Sequence, residues 1–520
     1  KDLLPEVSSD QLIKVPMSDY QFLNYAKIRK QEIERDKNRK SKPKGKKKKE
    51  EGEDPENIFE AKSSYRAYSR MHCSFVFPET IERPYPQAIA MSEGLSSGLS
   101  KVLLKGMLLD LQEKLGRDDL IDTFEKENPD PPEETPSEQE KKEKKQNKKL
   151  IMIYEKKKEE ALSLLERSSE ELLKLDAPNG LLKFSPKYNQ ILKNIKENKG
   201  LSFVYTEYKT LEGIAVLSVV LKANGYLPFE LKQNDDGEYE IDNYEATKDV
   251  PKYAFWGGDE EKSDIIRKIY NNEFELLPNK IRKQIMATKQ DNLHGHFIKI
   301  LLTTKTGAEG IDLKNVRQVH VVEPYWNPVR IKQVKGRAVR VGSHVALPKS
   351  ERFVDIFTYL STMTKDQLKS DKTIQDDGDG ASSDEALFKI SQRKLKVMDQ
   401  LLKLIKEASI DCGLNYAHTY SDDQPFVCLN YGTNIDRDKY SFVPNVYDMR
   451  SDVEQKRRIK KKTWKPQVLT VKGKKYAIKP SEKEQDKMVY DYDKTMEGRP
   501  GNPIGKLVLK DGKYKLVLNK

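Results

Sequence analysis

The run Ile298-Lys-Ile-Leu-Leu-Thr-Thr-Lys-Thr-Gly-Ala-Glu-Gly-Ile-Asp-Leu313 decides how the rest of the chain is read, with Val316-Arg-Gln-Val-His-Val-Val-Glu-Pro-Tyr-Trp-Asn-Pro328 and Gln333-Val-Lys-Gly-Arg-Ala-Val-Arg340 after it. Two apolar, strand-like runs alternate with a glycine-bearing turn and a basic helix. Gln333, Arg337 and Arg340 recur at spacings of four and three, which puts three polar heads on one helical face. A strand that ends in Thr303-Thr304 and opens into Gly307-Ala-Glu-Gly310 exposes hydroxyls and backbone N–H groups at the carboxyl edge of a sheet, where open α/β folds bind ligands. Alone, that loop reads as an ordinary turn. The helix shifts the reading, because an arginine aimed at a transferring phosphoryl group is worth roughly 10³–10⁵ in rate. A solvated surface helix explains one arginine easily. It explains Gly336 beside Arg337 poorly, since a mid-helix glycine costs about 1 kcal/mol and implies close packing.

Working outward, strands and helices alternate over 181–365. Ser185-Pro186 opens a helix through Ile195, Leu201–Tyr205 is a buried strand, and a helix runs from Thr210 to Ala223. Gln233 to Asn243 is an acidic hairpin-like insertion. Tyr253–Trp256 is a strand, Asp259 or Ser263 caps the next helix, and Phe353–Tyr359 is the last strand. This is an α/β pattern: a parallel sheet with helices on both faces.

The flanks read differently. Residues 1–37 hold a strand-like run, Gln11–Val15, and a helix capped by Ser18 or Asp19. Residues 38–56 are a lysine block and then an acidic one, a solvated linker or else a nuclear-localisation or nucleic-acid patch. In 57–125, Arg66, Arg70 and Arg83 alternate with aromatics, packing a small subdomain or touching nucleic acid, and Leu103–Leu120 is a helix. Residues 126–149 form a second linker, and 150–180 an amphipathic brace helix stopped at Pro178-Asn-Gly180. Downstream come a polar linker (366–383), a helical extension (384–420) capped by Ser382, Ser383 or Asp384, and a basic, strand-rich region (421–520) with a hairpin turn at Asp511-Gly512.

Composition bounds the class. The 520 residues are 34% charged and 36% hydrophobic with a net charge of +12, which favours a polyanionic partner such as nucleic acid. The longest apolar run, Ile214–Leu221, is too short to span a bilayer, and no signal peptide opens the chain. Cys73, Cys412 and Cys428 form no C-x-x-C pair, which supports neither a disulfide framework nor a zinc ribbon and fits a reducing, intracellular compartment. His294-Gly-His296 has no cysteine or carboxylate beside it and reads as loop, not as a metal site.

Thr304-Lys-Thr-Gly-Ala-Glu-Gly-Ile-Asp-Leu313 resembles motif V of superfamily 2 helicases. Trp326-Asn-Pro328 with Gln333-x-x-Gly-Arg-x-x-Arg340-Val-Gly342 resembles motif VI in its Swi/Snf-like form, and Ser202 to Ile214 looks like motif IV. Glu323-Pro-Tyr-Trp-Asn-Pro328, Gly342-Ser-His344, Ser383-Asp-Glu-Ala386 and Asp411-Cys412 bring the chain nearer the helicases of nucleocytoplasmic large DNA viruses, the group that includes the small subunit of the poxvirus early transcription factor. The resemblance implies that 181–365 is the second RecA-like lobe of a DNA-dependent ATPase, flanked by mostly helical and small strand-rich accessory regions. It implies ATP and Mg²⁺ as cofactors and duplex DNA as partner, with RNA polymerase or a transcription-factor subunit as further candidates. It places the activity in early transcription initiation, in a virion or a viral factory of the host cytoplasm. Arg337 and Arg340 would reach ATP phosphates with Gln333 beside them. Thr304, Lys305 and Gly307 would touch the DNA backbone, and Gly310 with Asp312 would link that contact to the nucleotide cleft. Asp312 stands where Swi/Snf proteins commonly carry Asn.

The other half of such a site is missing from the sequence. No G-x-x-x-x-G-K-[ST] loop and no acidic D-E-x-H pair for Mg²⁺ is present. Gly501-x-x-x-Gly505-Lys506 is one residue short and is followed by Leu507, and Asp384-Glu385 opens a helix, where capping explains it. Lys1 to Ile33 is therefore expected to begin just after a first lobe, with 1–180 as a protrusion between lobes and the segment inactive alone. A non-catalytic DNA-binding or transcription-assembly module built on a helicase lobe is the alternative.

Overall fold

The computed structural model describes residues 3–40, 66–85, 138–409 (without 236, 243–246, 248, 289, 306–309 and 378–379) and, beyond these, 412, 416, 425–428, 466–471, 473–479, 486–496, 503–510 and 513–518. The chain divides into two units, 1–399 and 400–520.

The first unit is built on β1 (Glu6–Pro16), β2 (Leu201–Tyr205), β3 (Leu227–Pro228), the hairpin β4 (Leu231–Gln233) and β5 (Tyr239–Ile241), β6 (Lys252–Trp256), β7 (Ile300–Thr303), β8 (Val316–Val321) and β9 (Phe353–Thr362). Seven of them form one sheet in the order β1-β9-β8-β2-β7-β6-β3, and every pair is parallel. The helices include α1 (Asp19–Lys40), α2 (Ala67–Ser74), α3 (Glu138–Arg167), α4 (Pro186–Glu197), α5 (Ile214–Ala223), α6 (Glu260–Tyr270), α7 (Asn279–Ala287), α8 (Pro328–Ala338), α9 (Lys365–Ser370), α10 (Lys372–Gln375) and α11 (Ser383–Ala408). This is the expected α/β, RecA-like arrangement.

Strand alternation sends side chains to two cores. Val204, Leu302 and Tyr359 meet α3, α4 and α5 through Leu165, Ile191 and Leu217. Phe203, Leu301, Val319 and Ile356 meet α6, α7 and α8 through Ile269, Ile281 and Val334. Covering both faces explains why the central strands read as almost continuous apolar runs. Each fully buried aliphatic or aromatic side chain contributes roughly 1.5–3 kcal/mol. Local caps set the helix starts: Ser18 Oγ accepts from Gln21 N–H (3.0 Å), Ser185 Oγ from Tyr188 N–H (3.0 Å) and an Asp259 carboxylate oxygen from Lys262 N–H (2.9 Å).

Several boundaries shift. β1 is not the tail of a preceding lobe, because it pairs along its length with β9 and extends the same sheet. Residues 66–85 do not form a separate protrusion subdomain. Val76 N–H donates to Phe184 O (3.0 Å) and Ser74 Oγ to the Glu323 carboxylate (2.7 Å), which seats them on the lobe. Arg66 pairs with Asp377, Arg83 with Glu212, and Arg70 is fully buried, so these arginines pack the interior instead of facing a polyanion. The stretch 138–149 is helical, not linker, and α9 and α10 occupy the expected linker 366–383. Ser382, not Asp384, caps α11: its Oγ accepts from Glu385 N–H (3.1 Å) while Glu385 accepts from Ser382 N–H (3.1 Å). Asp384 points inward to Lys187 Nζ (2.6 Å), and both side chains are 0% exposed. Residues 41–56, 86–125 and the turn Asp511-Gly512 lie outside the described residues.

In the second unit β10 (Gln467–Val471), β11 (Lys474–Ile478), β12 (Asp486–Asp491), β13 (Gly505–Lys510) and β14 (Lys513–Leu518) make an antiparallel sheet in sequence order. Its core is Tyr476, Ile478, Val489 and Leu507. Cys412 and Cys428 are joined by a disulfide, although the cysteine pattern supports no disulfide framework; they lie sixteen positions apart, a spacing that no C-x-x-C rule detects. No described helix is long and apolar enough to cross a membrane.

Candidate functional site

Because the main sheet is parallel throughout, the loops after β2, β6, β7 and β8 share its carboxyl edge. Thr303 Oγ1 donates to Trp256 O (3.1 Å) and ties the end of β7 to β6. Next to it Thr304 is 3% exposed and Lys305 half-buried, while Gly307 lies outside the described residues. Gly310 has φ +86°, and a Cβ there would meet nothing within 4 Å, so its glycine is needed for backbone conformation and not for space. Asn271 at the end of α6 pins the loop beyond. Its Nδ2 donates to Asp312 O (2.8 Å) and its Oδ1 accepts from Lys314 N–H (2.9 Å). The Asp312 carboxylate is left pointing outward.

The basic helix starts where Pro328 takes the first helical position and Asn327 Oδ1 accepts from Val329 N–H (3.0 Å). Pro328, Val334 and Ala338 face the core, which turns Gln333 outward and leaves Arg337 half-buried. The helix stops at Ala338, so Arg340 is not on the face that periodicity predicts; it stands on the next turn. From there its guanidinium pairs with Asp312, and its carbonyl accepts from Ser343 Oγ (2.8 Å). Ser343 O accepts from Asn315 N–H (3.0 Å), and His344 Nε2 donates to Val316 O (2.7 Å), locking this turn to the loop before β8. Burial keeps the His344 imidazole below its usual range, consistent with a neutral ring that donates from Nε2. A Cβ on Gly336 would also meet nothing within 4 Å, so close packing does not account for that glycine.

Other elements brace the arginine segment, and sequence reasoning missed them. Lys335 Nζ binds both carboxylate oxygens of Asp10 on β1 (2.7 and 2.8 Å), and Gly342 N–H donates to Leu3 O (2.7 Å). Arg330 lies 3.9 Å over the Tyr325 ring and 3.7 Å from the buried Glu207 carboxylate. Glu207 N–H donates to Glu323 (3.0 Å), whose carboxyl is pushed above the usual carboxylate range by burial, with Lys187 and the Ser74 hydrogen bond pulling it back. A carboxylate one or two residues past a buried strand was the available signal for both Glu207 and Glu323. His294 Nε2 meets Glu351 (2.9 Å), whereas His296 packs its ring on Phe297. Among the described residues no group of three or more His, Cys, Asp or Glu is placed to hold a metal ion.

The geometry therefore brings Arg340 and Asp312 together, keeps Gln333 and Arg337 one helical turn apart on α8, and sets Thr304 and Lys305 on the same loop as Asp312. Residues 264–342 match the helicase conserved C-terminal domain family. The chain is 32% identical over 280 residues to the termination factor NPH-I homolog of African swine fever virus (isolate Tick/Malawi/Lil 20-1/1983), covering 52% of this chain and 39% of that protein. It is 26% identical over 380 residues to the putative ATP-dependent RNA helicase R350 of Acanthamoeba polyphaga mimivirus, covering 71% and 41%. The chain thus spans about two fifths of the length of these curated relatives. A crystal structure of the C-terminal part of the Fun30 ATPase domain aligns with 76% of this chain and 99% of its own at 13% identity, with a TM-score of 0.32.

Proposed function

We propose that this helicase-family chain supplies the second half of a split ATP site and part of a duplex-DNA track. Bound ATP would supply the phosphoryl group whose transfer drives movement. Arg337 and Arg340, with Gln333 beside them, suit its phosphate oxygens: they are cationic or amide heads on one segment, and Arg340 is engaged by the Gly336 carbonyl (3.4 Å) and by a carboxylate that is 64% exposed. Charge developing on the γ-phosphate is what such arginines stabilise. Among the described residues no group of three or more His, Cys, Asp or Glu is placed to hold Mg²⁺, and its ligands are assigned to a partner lobe that carries a P-loop. Thr304, Lys305 and Gly307 hold backbone phosphates, and Gly310 and Asp312 carry the loop from them towards the arginines.

The observation that supports this reading most is the Asp312–Arg340 pair, a side-chain contact between the loop assigned to DNA and the turn assigned to ATP. The test is ATP hydrolysis by this chain together with a P-loop-bearing lobe, with and without duplex DNA. Stimulation by duplex, lost on Lys305→Glu, is the expected result. Hydrolysis indifferent to nucleic acid contradicts it. RNA is the comparator, since the mimivirus relative is named an RNA helicase.

The African swine fever virus relative is named a termination factor. Viral transcription, with RNA polymerase or a transcription-factor subunit as partner in a virion or viral factory, is the proposed setting. A non-catalytic DNA-binding or assembly module remains a second reading, favoured by the lysine-rich strands of residues 467–518; duplex binding that ATP leaves unchanged would select it.

A further inference from the structure

The second unit carries a surface that the ATP-site reading does not use. Residues 467–518 hold eleven lysines and one arginine against seven acidic residues. Strand alternation assigns these strands two faces, with Lys474 and Lys487 at core-side registers and Asp486, opposite Val508, at the register of the other face. Leu469, Tyr476, Ile478, Val489, Leu507 and Leu516 share the core face. The pairings Thr470↔Lys475, Ala477↔Tyr490, Met488↔Lys506, Lys506↔Val517 and Val508↔Lys515 define the opposite face. Lys475, Lys506 and Lys515 are exposed there, on three different strands. Met488, Tyr490 and Val508, half-buried, stand between them, and Val468 (53% exposed) and Val517 (51% exposed) flank them on the edge strands.

A merely solvated sheet face would alternate lysines with other polar groups, and edge lysines alone would only discourage strand pairing. This face instead sets lysines among apolar and aromatic side chains, with Lys506 on an inner strand. An acidic protein partner fits it less well, because lysine is depleted from the cores of protein–protein interfaces. Lysine is a compact point charge suited to phosphate, and flat apolar and aromatic patches accept the faces of unpaired bases. We propose that this face binds single-stranded nucleic acid, through phosphates on Lys475, Lys506 and Lys515 and base faces on the apolar surface between. No group placed to single out a 2′-hydroxyl is part of this reading, so deoxyribose and ribose strands bind alike. The inference shares with the proposed function only the premise that the chain handles nucleic acid.

The test is fluorescence anisotropy of the 520-residue chain with labelled oligo-dT, oligo-U and a duplex across a salt series. The triple change Lys475→Glu, Lys506→Glu, Lys515→Glu should weaken oligo-dT and oligo-U binding at least about tenfold. It should also reduce the steepness of log K against log salt by about 2, since each single-strand phosphate contact contributes about 0.7. A control with the same charge change on the first unit, Lys156→Glu, Lys157→Glu, Lys196→Glu, should retain most single-strand affinity. The triple Lys→Arg variant should bind like wild type, which guards against misfolding as the cause. Equal losses in the two Glu sets, or single-strand binding untouched by the sheet variant, overturn the proposal. If Lys305→Glu still abolishes duplex stimulation of hydrolysis in either case, the proposed function stands while this surface falls.

Discussion

Arg340 pairs with Asp312 across the gap between the turn that follows α8 and the loop that follows β7. Both side chains are partly solvated, and an exposed ion pair is worth about 0.2–1 kcal/mol. The pair is therefore weak enough for a phosphate to displace. Asp312→Asn should release Arg340 and lower KM for ATP by up to about fivefold, the equivalent of the upper end of that range. The same change should reduce the factor by which DNA stimulates hydrolysis. Measuring KM with and without DNA checks it; an unchanged KM and unchanged stimulation would mean the pair plays no part in the site.

Lys187 and Asp384 form the opposite case, a fully buried pair at 2.6 Å in which Asp384 also accepts from Ser361 N–H (3.0 Å). Asp384→Ala leaves an uncompensated ammonium inside the unit and should cost about 3–5 kcal/mol. The double change Lys187→Met, Asp384→Leu should cost far less. Denaturant unfolding of the single and double variants measures both, and a double variant no more stable than the single would contradict the assignment.

His320 lies inside β8, between Tyr359 Oη (2.9 Å) and Gln318 Oε1 (3.1 Å), and burial lowers its pKa to about 3. The unfolded chain takes up this proton near pH 6.5; the folded chain resists until about 3. Its contribution is complete above the unfolded value and is lost as pH falls through this window, at about 1.4 kcal/mol per pH unit for one proton. His320→Gln, which retains hydrogen-bonding capacity, should flatten the acid side of the stability profile. A variant with the wild-type slope would place the acid sensitivity elsewhere, at His72 or His344, whose burial shifts them in the same direction.

Asp10 on the edge strand β1 and Leu3 just before it hold the arginine segment. Asp10→Ala should raise amide exchange in α8 and around Gly342 while the protection of β7 and β2 is retained, because only the edge contact is lost. Uniformly unchanged exchange would show that β1 does not restrain the segment.

The parallel sheet was legible because burial on both faces writes itself into the sequence as apolar strands between helical patterns. The hairpin insertion and the Ser185 and Asp259 caps were legible for equally local reasons. β1 was half legible: Gln11–Val15 reads as a strand, but an edge strand with mixed polarity carries no mark of the strand it will join more than three hundred residues away. The arginine face was half legible. Spacing predicted Arg340 beside Arg337 on one helix, but the chain leaves the helix at Ala338, and a tertiary contact, Ser343 with Asn315, decides where Arg340 goes. The helix penalty of Gly336 implies close packing, whereas the space around it is open. Asp384 looked like a cap because acidic residues favour helix starts, yet its partner Lys187 is distant in sequence and no local rule could find it.

The central claim is that Arg337 acts on the phosphate of a nucleotide held jointly with a partner lobe. Single-turnover hydrolysis of bound ATP, in the presence of duplex DNA and a P-loop-bearing lobe, tests it most directly. Arg337→Ala should slow that step by about 10³-fold or more, as loss of an arginine at a transferring phosphoryl group does, while ATP binding changes little. Turnover close to wild type in Arg337→Ala would contradict the account.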